Sequence, residues 1–260
     1  ALELNIDMDS IIFVDDNPAE RELVKQLLPQ VKVLELSDDP ADYPMILDQC
    51  GWLEPVKLTD EDRNKTEQYK KNIQREEQLS GHASYESYLI SLDQKAVVKQ
   101  FEPKHLDRIT QLINKTNQFN LTTVRLNRSE VEELMNNKNT LTACIRLVDK
   151  FGDNGLISVL TGHKKENILH IDLWLMSCRV FKRGVEFLLS NYLFEQAKYL
   201  GIEEVHSTYV PSGKNRLVSD HYEKLGFKKL PNKQDNQTKW AIKVRDYKPV
   251  TVYISLEEEI

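Results

Sequence analysis

The chain holds a few places where residue type and spacing can do chemistry, and the first is Asp15-Asp16. These adjacent carboxylates end the apolar run Ile11-Ile12-Phe13-Val14 and stand directly before Asn17-Pro18. Four apolar residues bounded by polar ones read as a buried parallel strand, and open α/β sheets bind ligands beyond the C-terminal ends of such strands. Adjacent carboxylates repel unless a cation or a proton relieves them, and hard oxygen ligands suit Mg²⁺, so Asp15 and Asp16 are candidate metal ligands. The same residues also suit a solvated turn ahead of a helix. In that reading Asn17 is the N-cap, Pro18 the first helical residue and Glu20 the reciprocal capping partner, with Leu23, Val24, Leu27 and Leu28 on the inner face up to Pro29.

The second place is the run from Cys178 to Gly184. Cys178 is followed within a few residues by the cations Arg179, Lys182 and Arg183 and by Gly184, which opens a helical pattern. A helix N-terminus with cations beside it favours thiolate, the nucleophilic form of cysteine, whereas an isolated cysteine can equally be a small buried apolar residue. The third place is Asn117-Gln118-Phe119-Asn120-Leu121-Thr122-Thr123, a polar run with one aromatic, whose Asn117, Gln118, Asn120 and Thr122 offer amides and a hydroxyl to a polar ligand. Cys50 and Cys144 read as structural. Three widely spaced cysteines suit a reducing cytoplasm better than a disulfide framework, and the six histidines show no spacing of a triad.

The elements that must position these residues fall into three stretches. Residues 1–55 hold the first strand and helix, a short strand over 31–36 and a turn-rich segment around Pro40 and Tyr43-Pro44 that closes at Gly51-Trp52. Residues 56–95 read as a helical connector: Thr59 caps a long polar helix with Asp62 at its third position, running through Arg63, Tyr69, Ile73 and Arg75 to about Leu79. Ser84 caps a shorter helix through Leu89 and Leu92. Residues 96–260 carry a new α/β pattern. It comprises strands over 96–101, 141–148, 156–162, 168–176, 205–210 and 240–244, and helices over 104–115 and 129–136, from Gly184 to Gly201 and over 216–225. Phe151-Gly152-Asp153-Asn154-Gly155 reads as a hairpin turn.

The order β-α-α-β-β-β-α-β-α-β, with the Cys178–Gly184 turn and His221-Tyr222-Glu223-Lys224-Leu225-Gly226-Phe227, resembles the GCN5-related N-acetyltransferase (GNAT) fold. That resemblance implies that Arg179, Lys182, Arg183 and Gly184 hold the phosphate of coenzyme A or of a phosphopantetheine arm with backbone N–H groups at a helix start. It places Tyr222 near the thiol sulfur, able to protonate a leaving thiolate, although a core tyrosine would show the same pattern. It sets the 117–123 loop on the acyl-binding side and Cys178 near the thioester. Lys182 departs from the family pattern, which has Gly there.

Strand-Asp-Asp-Asn-Pro resembles the last metal motif of the haloacid-dehalogenase (HAD) superfamily. Only ten residues precede Ile11, too few for that family's nucleophile strand and helix, and the chain begins at Ala1, so the expectation is a fragment retaining the tail of a HAD-like domain. Taken together, the motifs at 13–22, 117–123, 151–155, 175–180 and 184–186 resemble the FkbH-like family, a subfamily IIIC HAD-like domain fused to a GNAT-like acyltransferase domain. The fold class expected is therefore α/β, with a truncated Rossmannoid remnant, a helical connector and a GNAT-like mixed domain.

The family resemblance implies loading of a glyceryl unit from 1,3-bisphosphoglycerate onto the phosphopantetheine thiol of an acyl carrier protein. Cys178 would hold the acyl group, and Asp15 and Asp16 would contribute to a Mg²⁺-dependent phosphate-removing half. A coenzyme A-dependent N-acyltransferase and a non-catalytic carrier-docking module are the alternatives. A net charge of −6 and pI ≈ 5.6 argue against nucleic-acid or membrane-surface partners. With 40% hydrophobic residues a proper core is available, no apolar run reaches membrane-span length and no leader pattern is present, so a cytoplasmic location is expected.

Overall fold

The computed structural model describes residues 8–53, 65–79, 81–231 and 236–258. The chain forms two compact units, residues 1–69 and 70–260. In the first, β1 (Ile12–Phe13) pairs in parallel with β2 (Lys32–Val33), and α1 (Pro18–Leu27) follows the carboxylate tip. The parallel pairing agrees with the sequence expectation, but both strands are shorter than expected and β1 is only half-buried, with Val14 exposed. Residues 43–49, read as turn, form a second helix, α2 (Tyr43–Gln49), with Pro44 accommodated in its first turn.

Asn17 caps α1, its side chain accepting the Ala19 N–H at 2.9 Å. The reciprocal partner is Asp15 rather than Glu20: Asp15 Oδ1 accepts the Asn17 N–H at 2.8 Å. Buried Arg21 reinforces the tip by donating to the Asp15 and Asp16 carbonyls. Leu23, Leu27 and Leu28, expected on an inner face, are exposed, and Arg21 takes the buried position on the helix.

Thr59, Asp62 and Arg63, the expected start of the connector helix, lie outside the described residues; the helix itself, α3, spans Lys65–Leu79. Ser84 caps α4 (Tyr85–Ser91) as expected, in a reciprocal capping box with Ser87. Its Tyr88 and Leu89, with Leu92, form a small cluster against Phe151 and Tyr253.

The second unit is built on an eight-stranded mixed sheet in the order β10-β3-β4-β5-β6-β7-β9-β8. Its strands are β3 (Gln94–Lys99), β4 (Thr140–Asp149), β5 (Gly152–Lys165), β6 (Ile168–Met176), β7 (Glu204–Tyr209), β8 (Lys228–Leu230), β9 (Thr238–Lys243) and β10 (Ile254–Leu256). The helices are α5 (Leu106–Lys115), α6 (Arg128–Asn136), α7 (Val185–Tyr199) and the one-turn α8 (His221–Lys224). The succession matches the GNAT-like order read from sequence, with β8 and β10 added and the expected 216–225 helix divided into a 3₁₀ turn, Arg216–Val218, and α8.

Alternation along the strands decides which helix covers which face. Leu173 and Leu175 of β6 join Leu106, Ile109, Leu112 and Ile113 of α5 in one apolar cluster, whereas Trp174 and Met176 join Leu188, Leu189, Leu193 and Phe194 of α7 in the other. The helices therefore sandwich the sheet. A register shift between β4 and β5 near Ile145 and Arg146 makes Ile157 an extra residue on that edge, and on the β6 edge the Ile157 carbonyl accepts the Ser177 N–H at 2.7 Å. That bond fixes the chain where it leaves β6 for the Cys178 turn.

Where β4 turns into β5, the Asp149 side chain is fully buried and bound by two arginines. Arg75 of α3 donates from Nε and Nη2 to its two oxygens at 3.0 and 2.8 Å, Arg183 donates from Nη2, and Asn154 and the Phe151 N–H complete the cage. Burial alone would raise the carboxyl's pKa; the Arg75 hydrogen bonds and the charges of both arginines outweigh it and hold Asp149 below the usual carboxylate range. Removing one partner of such a buried set leaves an uncompensated charge, which costs ~3–5 kcal/mol. Asp149→Ala is therefore expected to lose that much in chemical denaturation, far more than Asp153→Ala on the exposed side of the same hairpin; equal, small losses would contradict the role given to Asp149.

Candidate active site

β6 and β7 pair in parallel only over Ile168–His170 and Glu204–His206; beyond that point β7 runs on beside β9 and the two strands part. Residues 119–121 fill the wedge. The Leu121 N–H donates to the Trp174 carbonyl, the Met176 N–H to that of Phe119, and the Val210 N–H to that of Leu121, so this segment is bonded to both strands. Buried Asn215 pins it, donating to the Asn120 and Val210 carbonyls and accepting from Tyr209 Oη and the Ser212 N–H.

A cavity of ≈ 140 Å³ lies at this wedge. Phe119, Met176, Phe181, Phe187, Leu217 and Val218 make its apolar wall, and Lys182, Glu186, Asp220, His221 and Lys224 its polar part. This pocket is half open to solvent, and its volume is enough to admit a small acyl group. Cys178, half-buried, opens the 3₁₀ turn Cys178–Val180 between Met176 and Phe181, both of them walls of the cavity.

The cations of the turn part company. Arg183 is buried in the Asp149 cage and also donates to Gln94, so it scaffolds the turn and is not the phosphate ligand the sequence suggested. Arg179 is half-buried and donates to Ser177 Oγ at 3.2 Å. Lys182 is exposed at the cavity's rim with φ +61°, a left-handed conformation that Gly adopts without strain. Tyr85 Oη donates to the Lys182 carbonyl at 2.7 Å and holds that conformation. Gly184, at φ +84°, then serves as N-cap of α7.

The loop amides are largely committed to the fold. Asn120 Oδ1 accepts the Thr123 N–H at 2.9 Å and the more distant Thr122 N–H, and its Nδ2 donates to the Thr116 carbonyl, while Asn117 Oδ1 accepts from Arg125. Asn120 and Thr122 are buried, and the residue this loop gives to the cavity is Phe119; Asn117, Gln118, Asn120 and Thr122 are not among its walls. Tyr222 is likewise a core residue. It is 1% exposed, packed among Trp174, Phe227 and Trp240, and burial pushes its phenol pKa up. Cys144 is buried and its thiol pushed up to about 12 by burial, which fits the structural role expected.

Two further residues that line the cavity, Glu186 and His221, stand beside those singled out from sequence. His221 is 5% exposed, its ring fixed by edge contacts with Phe119 and Trp174 at 5.0 and 4.7 Å between centroids. Burial, then the Lys224 charge, lowers its pKa to about 3 against the opposing effect of Asp220, so the ring is neutral at pH 7. Burial likewise raises the Glu186 carboxyl, with its own backbone N–H and Lys224 opposing. Neither His221 Nε2 nor Glu186 Oε2 has a hydrogen-bond partner among the described residues.

Toward Mg²⁺ the first unit supplies little. Asp16 is exposed, Asp15 is engaged by the helix cap, and no group of three or more His, Cys, Asp or Glu among the described residues has metal-site geometry. Two carboxylates are at most a corner of a hard-cation site.

No family model and no curated protein matches the chain. Among solved structures, the ribosomal-protein-S18-alanine N-acetyltransferase from Escherichia coli is similar at TM-score 0.45 and 10% identity, covering 57% of this chain and 94% of that one. The GNAT domain of S. lividans PAT is similar at 0.46 and 10%, covering 56% and 89%. Spermidine N-acetyltransferase from Vibrio cholerae, solved with CoA and spermine, is similar at 0.44 and 14%, covering 59% and 98%. None of these carries function across to this chain. No described helix is long and apolar enough to cross a membrane.

Because His221 is neutral when folded and protonates below ~6.5 when unfolded, its contribution to stability is intact above ~6.5 and lost as pH falls from there toward about 3. Thermal melts of His221→Phe should therefore show a shallower drop between pH 6.5 and 4 than the parent chain; parallel curves would contradict a buried neutral His221.

Proposed function

We propose that the second unit is an acyl-transfer domain that takes a small acyl group into the cavity at the β6–β7 wedge. The observation that carries this reading is that Phe181, Lys182 and the start of α7 line an apolar pocket of acyl size, with Cys178, itself not among the walls, two residues on from the lining Met176. Phosphate at Lys182 and the α7 N-terminus would orient a pantetheine arm, since backbone N–H groups and the helix dipole there favour an anion. With Arg183 withdrawn into the Asp149 cage, the positive charge left at the turn suits one phosphodiester better than a pyrophosphate.

In the finer form, which rests on the five-motif resemblance, the chain is part of an FkbH-like enzyme loading a glyceryl unit onto an acyl carrier protein. The Cys178 thiol attacks the acyl carbonyl of 1,3-bisphosphoglycerate; the C–O bond to phosphate breaks, inorganic phosphate leaves and the thiol proton is released. The carrier's thiol then attacks the Cys178 thioester, the carrier–acyl C–S bond forms, and Cys178 recovers the proton. The remaining phosphate ester falls to the metal-dependent half, toward which these residues supply Asp15 and Asp16.

A coenzyme A-dependent N-acyltransferase is the second reading. One observation favours it: Lys182, where the resembled pattern has Gly, adopts a left-handed conformation of the kind that suits Gly.

Intact-mass measurement separates these readings. Incubated with acyl-S-pantetheine or acyl phosphate donors and phosphopantetheinylated carrier, the chain is expected to show an acyl adduct at Cys178 and then on the carrier, both lost in Cys178→Ala. Carrier acylation unchanged in Cys178→Ala would overturn the covalent route. Tight coenzyme A binding by calorimetry, with acetylation of an amine and no carrier adduct, would favour the second reading.

A further inference from the structure

The turn that carries Lys182 is held by segments that precede most of the sheet. Arg75 of α3 binds Asp149, which in turn binds Arg183, and Gln94 at the start of β3 accepts from Arg183 Nε at 2.8 Å. Tyr85, the first residue of α4, reaches the residue just before: its Oη donates to the Lys182 carbonyl at 2.7 Å. Arg183 is thus held by charge, and Lys182 at its carbonyl by a hydroxyl. The φ of +61° at Lys182 makes that hydroxyl matter, since left-handed backbone disfavours a residue with a Cβ by about 5- to 30-fold and one net hydrogen bond restores about 5-fold. The next left-handed residue, Gly184, carries no such cost. Gly184 also gives α7 no side-chain cap, so the path of residues 182–184 decides how the Lys182 ammonium and the first N–H groups of α7 are presented to an anion.

We propose that Tyr85 is a positioning residue for the phosphate turn: by bonding the Lys182 carbonyl it keeps the turn in the shape that receives a phosphate. The connector helix α4 thereby sets the affinity of a site it does not line. The proposal rests on the reading of Lys182 and the start of α7 as the phosphate site. A purely structural role fits the contact less well. Tyr85 is 43% exposed, and losing a hydrogen bond at the surface changes global stability little, whereas the population of the binding-competent turn multiplies directly into the apparent affinity.

The probes are phosphopantetheine and pantetheine, which differ by the phosphate, titrated by calorimetry into the full chain. The ratio of the two affinities isolates what the phosphate contributes. The parent chain is expected to prefer phosphopantetheine, and Tyr85→Phe, which keeps the ring beside Tyr88, should cut that preference at least about 3-fold while pantetheine binding holds. Lys182→Gly removes the backbone cost together with the ammonium, so its own preference is smaller. In that background Tyr85→Phe should have no further effect. An unchanged preference in Tyr85→Phe, an equal loss for both probes, the same Tyr85→Phe effect with Gly at 182, or no preference in the parent chain would overturn the proposal. Failure of this inference and failure of the functional reading are distinguishable. A Tyr85-dependent phosphate preference without an acyl adduct at Cys178 would leave only the transfer reading failed; the adduct with a preference indifferent to Tyr85→Phe would leave only this inference failed.

Discussion

The site depends on one buried carboxylate. Asp149 stands at the end of β4 and holds Arg75 from the helix before the sheet and Arg183 from the turn after β6, so three distant segments meet at one point. A guanidinium buried without its counter-charge is costly enough to undo the local fold, and this makes the position of Arg183 nearly obligatory. Arg183 in turn fixes its neighbours: Lys182 is carried to the cavity rim in a left-handed conformation, and Gly184 starts α7. From the other side, the Ile157 carbonyl at the β5 bulge holds Ser177. The Cys178 turn is thus gripped at both ends, by a charge cage and by a bulge, and the cavity walls Met176, Phe181 and Glu186 follow from it.

The second constraint is the parting of β6 and β7. Parallel strands that separate after a short pairing expose backbone groups, and each must find a partner. Here Phe119, Asn120 and Leu121 supply them, at the cost of committing the loop's polar side chains to the fold. The same insertion brings the Phe119 ring to the cavity and against His221.

Much of this was legible in the sequence, because periodicity reports on elements. The 168–176 strand, the buried face of α5, the Ser84 and Asn17 caps and the glycines ending α7 and α8 follow from local rules that tertiary contacts did not override. What could not be read were partnerships between distant residues. Asp149 looks like any strand-end aspartate until Arg75 and Arg183 are placed on it. Phe151-Gly152-Asp153-Asn154-Gly155 reads as a turn and is one, but Asn154 also closes the Asp149 cage. The histidines show no triad spacing, yet strand register stacks His163 on His170 at 4.9 Å and sets His206 beside it. The choice between His221 and Tyr222 needs the direction of adjacent side chains on a single helical turn, which lie about 100° apart. Sequence reasoning favoured the phenol; packing buries the phenol and turns the imidazole to the cavity. The polar 117–123 run misled for a related reason: amides suited to a ligand are equally suited to orphan backbone.

The central claim is that the β6–β7 wedge, with His221 in its wall, is where this chain meets its acyl ligand. The six histidines make it directly observable, since with ¹³C,¹⁵N-labelled histidine each ring reports separately. On addition of an acyl-pantetheine thioester, the account predicts that the His221 ring resonances shift strongly while those of the His163, His170 and His206 row stay in place. Shifts confined to that row, with His221 unmoved at saturating ligand, would contradict it.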